Sequence, residues 1–197
     1  MQTGKTPTKA VLIGAGMVAE TYLAAFAGAR ETVAFGGLYA RRPEKARAFL
    51  DAGAARHSLT HRIYSDLQDI ASDAEIDFAI VATPPDARLD VIAPLAAAGK
   101  HILLEKPVGR NGREARAVVQ TCDRAGVHLG VMFQHRARAA SAQAKALISS
   151  GALGALALAD ISVPWWRAQS YYAQPERGTY ARDGGGVLIS QAIHTID

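Results

Sequence analysis

The chain reads as an α/β protein, a doubly wound parallel sheet followed by an incomplete α+β domain. Three observations predict this. Short apolar runs alternate with helix-patterned segments over the first two thirds of the sequence. A glycine-rich turn, Gly14-Ala15-Gly16-Met17-Val18-Ala19, joins the first apolar run to the first amphipathic segment. After about Phe133 the alternation fades and a different pattern begins.

Residues 10–13 form a first buried strand. Val18, Tyr22 and Phe26, with Ala19 and Leu23, line one face of the helix that follows. Residues 32–39 are a second strand, weakened by Gly36 and Gly37. Pro43 starts a helix over 43–50, at a position where its missing N–H costs nothing. Ser65-Asp66-Leu67-Gln68 has the form of a capping box for a short helix. Residues 76–82 are nearly all apolar, as a central parallel strand requires. Thr83-Pro84-Pro85 ends that strand, and Asp86 is placed to cap a helix that runs to Gly99 and is kinked at Pro94. Residues 102–104 and 127–133 are further strands around a helix over 112–125. Strand–helix–strand order implies right-handed parallel crossovers.

The domain boundary falls near 134, giving a nucleotide-sized unit at 1–133 and a second unit at 134–197. The second unit starts with a helix over 137–150 and a strand over 156–163. A loop rich in aromatics and glycine covers 165–186, and the chain ends in the first turn of a helix at Asp197. There is no internal repeat and no low-complexity tract.

Composition narrows the functional classes. Of 197 residues, 49% are hydrophobic and 20% charged, which suits a packed globular protein and excludes a disordered one. Net charge is +4, from 22 basic and 18 acidic residues. The basic residues are scattered among acids apart from Arg41, Arg42, Lys45 and Arg47, so a generic basic surface is favoured over nucleic-acid binding. The single cysteine, Cys122, excludes an internal disulfide and reads as a small core residue. Residues 1–9 carry no apolar targeting segment, and no apolar run approaches the roughly 18 residues that span a bilayer. A cytoplasmic setting without membrane partners is expected.

The glycine turn carries the first chemistry. Gly14 permits the tight turn, Gly16 lets a pyrophosphate approach the backbone, and Ala19 allows close helix–strand packing. Met17 and Val18 open the helix, whose N-terminal amides favour an anion. A dinucleotide site of the Rossmann type is the favoured reading; a glycine turn in a nucleotide-free fold is the alternative. At the end of the second strand stands Ala40-Arg41-Arg42, where an NAD-binding chain would place an acid on the ribose 2′-hydroxyl. Arginines pair instead with a 2′-phosphate, so NADP is preferred and NAD remains the alternative. Solvated arginines at a helix start are the plainer reading.

Two further segments have catalytic residue types. Lys106 follows the apolar run ending at Glu105, and Pro107 restricts it to extended backbone. Desolvation beside a cationic ring lowers a lysine's pKa and lets it exchange a proton with a substrate hydroxyl. By itself it also reads as a surface lysine. Gly184-Gly185-Gly186 precedes Ser190, Gln191 and His194, and on one continuous helix Ser190 and His194 would share a face. His194 is a candidate acid or base, or a structural histidine. Trp165, Trp166, Tyr171 and Tyr172 would suit a sugar-stacking wall, or equally a core or an interface.

Together these residues resemble the glucose–fructose oxidoreductase, inositol dehydrogenase and MocA-like family of NAD(P)-dependent oxidoreductases. The resemblance runs from Ala10 to Asp197 and is carried by the Gly14–Ala19 loop, Ala82-Thr83-Pro84-Pro85, the stretch from Ala98 to Pro107, and the stretch from Gly184 to Asp197. It implies that Lys106 is the catalytic lysine of a Glu-Lys-Pro motif and that His194 lies near the nicotinamide and substrate. It implies that Thr83 and Pro84 contact the ribose–nicotinamide end, with Glu105 and Gln134 also near the cofactor. Arg136, Trp166 and Gln191 would face a substrate. Many members have an aspartate four residues before the histidine. Ser190 stands there in this chain, so a Lys-Asp-His arrangement is excluded and Lys106, with His194, must move the proton. The implied substrate is a sugar, cyclitol or related polyol, and the implied full-length parent is a homo-oligomer. Family members are much longer, so a C-terminally truncated member is expected, and its activity is open. A cofactor-binding protein without turnover and a redox-assisted lyase or glycosidase are the competing functions.

Overall fold

The computed structural model describes residues 6–59, 62–175 and 177–197. Its contacts divide the chain into two compact units, Met1–Val131 and Met132–Asp197.

The first unit is built on a five-stranded sheet in the order β2-β1-β3-β4-β5. β1 (Thr8–Ile13) pairs in parallel with β2 (Val33–Tyr39) on one side and β3 (Phe78–Val81) on the other. β4 (His101–Glu105) is parallel to β3, and β5 (Leu129–Met132) closes the edge, the Ile102 amide donating to the His128 carbonyl at 2.9 Å. Val11, Ile13, Ala79, Val81, Ile102 and Leu104 are buried in one core with Ile92 and Leu95 from the covering helix. Apolar side chains over the whole length of a central strand are what a sheet covered on both faces needs.

The helices follow in alternation: α1 (Ala19–Gly28), α2 (Pro43–His57), α3 (Leu67–Ser72), α4 (Arg88–Ala97) and α5 (Gly112–Ala125). α1 buries Ala19, Tyr22, Leu23 and Phe26, whereas Val18, expected on that face, is its exposed N-cap. α5 has the bounds expected of it. Asn111 caps its start by accepting the Glu114 amide, and Gly126 ends it in the left-handed conformation.

Two caps differ from expectation. α3 is capped by Asp66, whose carboxylate accepts the Asp69 amide, and not by Ser65. α4 has no side-chain cap, because Pro85–Ala87 forms a 3₁₀ turn that takes Asp86 out of the capping position. α2 runs seven residues beyond residue 50, through a stretch that contains no proline.

The glycines of β2 permit close approach rather than weaken the strand. A Cβ at Gly36 would collide with Ile76, and one at Gly37 would stand 2.9 Å from the Arg62 carbonyl oxygen. Leu38 forms a parallel bridge with Ile63 there. Lys100 is buried before β4 and donates to the carbonyls of Asp73 (2.6 Å) and Ile76 (2.8 Å), which ties the start of β4 to that of β3.

The second unit contains α6 (Ala139–Ser149) and four one-turn helices, α7 (Gln169–Tyr172), α8 (Tyr180–Asp183), α9 (Val187–Ser190) and α10 (Ile193–Ile196). Residues 156–163, expected as a strand, form none. A strand exists only with a hydrogen-bonded neighbour, and among the described residues nothing pairs with this segment; Leu156, Leu158 and Ile161 are exposed. The expected continuous helix through Ser190 and His194 is broken at Gln191 and Ala192, where the Ala192 amide turns back to the Val187 carbonyl. Ser190 and His194 therefore stand on different helices. No helix among the described residues is long and apolar enough to cross a membrane.

Candidate active site

The carboxyl ends of β1, β3 and β4 form one row, the edge where open α/β sheets take ligands. β1 exits into the glycine turn. Gly14 has φ +109°, and a Cβ there would meet the Ala82 carbonyl oxygen at 3.0 Å. The chain after β3 thus presses on the turn, and only glycine fits both the angle and the space. Gly16 differs: a Cβ on it would meet nothing within 4 Å. It faces open space, which is what a backbone cradle for a phosphate provides. Met17 and Val18 are exposed beside it.

β3 exits into Thr83 and Pro84. The Thr83 hydroxyl oxygen is buried and has no hydrogen-bond partner among the described residues. A buried hydroxyl without a partner is costly, so this donor calls for a ligand acceptor. The strained Gly14 turn, the open Gly16 backbone and the unpaired Thr83 hydroxyl all fit a dinucleotide. Ala40, Arg41 and Arg42 follow β2 before the first turn of α2, with both arginines exposed.

β4 exits into Glu105 and Lys106, and the Lys106–Pro107 peptide bond is cis. Both Glu105 carboxylate oxygens accept hydrogen bonds from the protein. The Tyr22 hydroxyl donates at 2.8 Å and the Lys106 amide at 3.1 Å. Burial first, then the neighbouring carboxylate, push the Tyr22 phenol far above its usual pKa. Arg88, at the start of α4, is only 2% exposed. It donates from Nε to the Thr83 carbonyl (3.2 Å) and from Nη2 to the Lys106 carbonyl (3.1 Å), while Nη1 has no hydrogen-bond partner among the described residues. Burial pushes its guanidinium down to about 10, against the pull of Glu105.

In the second unit, His194 is buried and its ring lies 4.9 Å from that of His135. Phe133 meets His194 edge-on at 6.4 Å, and Trp165 meets His135 likewise. Arg136 forms a two-pronged ion pair with Asp197, its Nε at 2.7 Å, and lies over the Phe133 ring. The Arg136 hydrogen bond holds the Asp197 carboxyl below the usual range. Gln191 accepts from Arg167 at 3.1 Å and donates to the Tyr171 hydroxyl at 2.9 Å. Ser190 donates to the Gly186 carbonyl at 2.8 Å. Trp166 is 81% exposed, and Gln134 is exposed at the head of a 3₁₀ turn.

Of the residues expected from sequence, the first unit holds Gly14, Gly16, Met17, Val18, Ala40, Arg41, Arg42, Thr83, Pro84, Glu105 and Lys106. The second holds Gln134, Arg136, Trp166, Gln191 and His194. Three participants were not expected: Tyr22, Arg88 and His135. Tyr22 reads from sequence as a helix-face aromatic, and Arg88 belongs to no motif. His135, between Gln134 and Arg136, gave no signal of its own.

Comparison with known proteins places the chain in a family. Residues 8–133 match the model of the GFO_IDH_MocA oxidoreductase family, NAD-binding Rossmann fold, and residues 141–197 match the GFO/IDH/MocA C-terminal domain. The rhizopine catabolism protein MocA of Rhizobium meliloti is 31% identical over 136 residues, which are 69% of this chain and 41% of that protein. The levoglucosan dehydrogenase of Pseudarthrobacter phenanthrenivorans is 34% identical over 150 residues, 75% of this chain and 38% of that one. The crystal structure of the WlbA dehydrogenase from Bordetella pertussis, in complex with NADH and UDP-GlcNAcA, superposes with a TM-score of 0.86 at 28% identity. It is matched over 98% of this chain and 56% of its own. The chain thus spans about half the length, or less, of these relatives.

Proposed function

The chain belongs to the Gfo/Idh/MocA family of oxidoreductases, and from that premise we propose that it binds NADP(H) and interconverts a secondary alcohol and a ketone on a sugar, cyclitol or related polyol. The observation that carries this reading is the row of strand exits in the first unit. It sets a glycine cradle, an unpaired hydroxyl and a lysine at the ends of adjacent strands.

A nicotinamide held there would supply the hydride transfer. The protein supplies the rest. Gly14 and Gly16 admit the pyrophosphate to the head of α1, flanked by Met17 and Val18. The Thr83 hydroxyl donates to the ribose–nicotinamide end, with Pro84 packing beside it. Lys106 takes the proton of the substrate hydroxyl during oxidation and gives it back during reduction. Glu105, held by Tyr22, anchors the lysine from behind. The family resemblance gives His194, Gln134, Arg136, Trp166 and Gln191 of the second unit roles towards substrate and cofactor. Ser190 has no carboxylate, so Lys106 carries the transfer.

NADP is preferred over NAD. Arg41 and Arg42 directly precede a helix N-terminus, itself a locus of positive partial charge. Such crowding of positive charge favours a phosphate, and Ala40 offers no acid to a free 2′-hydroxyl.

Fluorescence titration with NADPH and NADH, followed by turnover of a polyol panel, tests the reading. The expected result is NADPH binding about ten-fold tighter than NADH and turnover that Lys106→Ala lowers at least about a hundred-fold. Binding without turnover on any polyol points to a cofactor-binding protein. Product formation without net cofactor consumption points to redox-assisted lyase or glycosidase chemistry. Failure to bind either nucleotide rejects the proposal.

A further inference from the structure

Arg88 is an unusual residue to bury. Its side chain lies at the start of α4, 2% exposed, and forms no ion pair within the usual distance among the described residues. Its hydrogen bonds go to two backbone carbonyls, Thr83 at 3.2 Å and Lys106 at 3.1 Å. These residues leave the sheet from neighbouring strands, β3 and β4. One carries the buried hydroxyl without a partner, and the other carries the lysine. A buried cation with a third nitrogen left unbonded is a poor device for holding a core together, because apolar residues of the same volume do that without the desolvation cost. It is a good device for fixing two loops at a set separation, since the planar guanidinium presents donors in a rigid fork.

We propose that Arg88 is a positioning residue: by donating to the Thr83 and Lys106 carbonyls together, it locks the two strand exits into one register and so sets the Lys106 amine against the bound substrate. The role rests on the oxidoreductase reading, but the clamp itself does not. Glu105 completes the device on the other side. The Tyr22 hydroxyl and the Lys106 amide hold its carboxylate, so the backbone of Lys106 is gripped at both its N–H and its carbonyl.

The test uses the whole chain with Arg88→Met and Arg88→Lys. Hydrogen exchange by mass spectrometry reads the clamp, NADPH titration reads the cradle, and turnover on the polyol panel reads the chemistry. Arg88→Met is expected to quicken exchange about ten-fold in peptides covering 83–87 and 105–109, while the strand cores 10–13 and 79–81 keep their protection. NADPH affinity is expected to stay within about three-fold, while kcat falls about thirty-fold or more. Arg88→Lys keeps the charge and part of the reach and is expected to recover about ten-fold of that kcat. It also serves where the methionine variant fails to fold. Unchanged exchange in both segments overturns the clamp. Quickened exchange with wild-type kcat overturns the positioning role, and equal losses of NADPH affinity and kcat reduce Arg88 to a structural pin. A wild-type chain that turns over no polyol counts against the oxidoreductase reading, and exchange then decides the clamp alone.

Discussion

The Tyr22 hydroxyl in α1 donates to a Glu105 carboxylate oxygen at 2.8 Å, across 83 residues of sequence. It ties the helix behind the glycine turn to the strand exit that bears Lys106. Tyr22→Phe removes the donor and leaves a half-buried carboxylate short of one bond. The expected cost is about 1–2 kcal/mol, read as a lower urea midpoint with an unchanged slope.

The same bond makes stability sensitive to alkali. Burial and Glu105 raise the Tyr22 phenol, and burial with the Asp73 hydrogen bond raises Tyr64. Folded, both keep their protons where the unfolded chain loses its own, near pH 10. Their contribution is therefore complete below about pH 9 and is lost as pH rises through and beyond 10. Thermal melts across that range should show falling midpoints, with a shallower fall in Tyr22→Phe and Tyr64→Phe.

The two glycines of the turn make opposite predictions. Gly14→Ala forces a side chain into φ +109° and against the Ala82 carbonyl. It is expected to cost about 1–3 kcal/mol of stability. Gly16→Ala meets nothing in the protein, so its melting midpoint should match the wild type. Its methyl group fills the space where a pyrophosphate approaches, and nucleotide affinity should fall about ten-fold or more. A Gly16→Ala chain that binds NADPH as the wild type does would place the cradle elsewhere.

Cofactor choice turns on the end of β2. Arg42→Ala and Arg41→Ala are expected to weaken NADPH by about ten-fold each and to leave NADH within about two-fold. Ala40→Asp is expected to move preference towards NADH by supplying an acceptor for the ribose hydroxyl. Isothermal titration of both nucleotides against each variant decides it.

In the second unit Asp197 is held ionised by Arg136. A depressed carboxyl stabilises above its unfolded pKa, about 3.9, and that contribution fades as pH falls below it. Hydrogen exchange around 133–137 and 193–197 should quicken as pH drops from about 5 towards 3, after correction for the intrinsic rate. Arg136→Ala should exchange quickly at both ends of that range.

Much of the first unit was legible because its signals are local. The helix of 112–125 declares both ends, an asparagine cap and a left-handed glycine, within the residues beside them. The apolar runs of β1, β3 and β4 read as buried strands, that of β3 as a central one. Some of what failed depended on distant partners, and some on competing local turns. Residues 156–163 have strand composition, yet a strand needs a neighbour and composition does not supply one. Asp86 had capping chemistry, and Pro85 drew it into a 3₁₀ turn instead. The break at Gln191 and Ala192 put Ser190 and His194 on separate helices, against a spacing that suited one. Arg88 was missed for the converse reason. An arginine at a helix start is ordinarily solvated, and only the folded chain brings two backbone carbonyls within its reach.

The double grip on the Lys106 peptide has an evolutionary corollary. Tyr22, Arg88 and Glu105 hold the Lys106 backbone, whereas the proposed proton transfer rests on the Lys106 amine alone. In a lineage that kept the fold and abandoned turnover, the lysine would be the first of the four to drift. Its three supporters would persist as the outline of a site that no longer worked. A homologue retaining tyrosine, arginine and glutamate at these positions without the lysine would then be marked, by that pattern alone, as a binder descended from an enzyme.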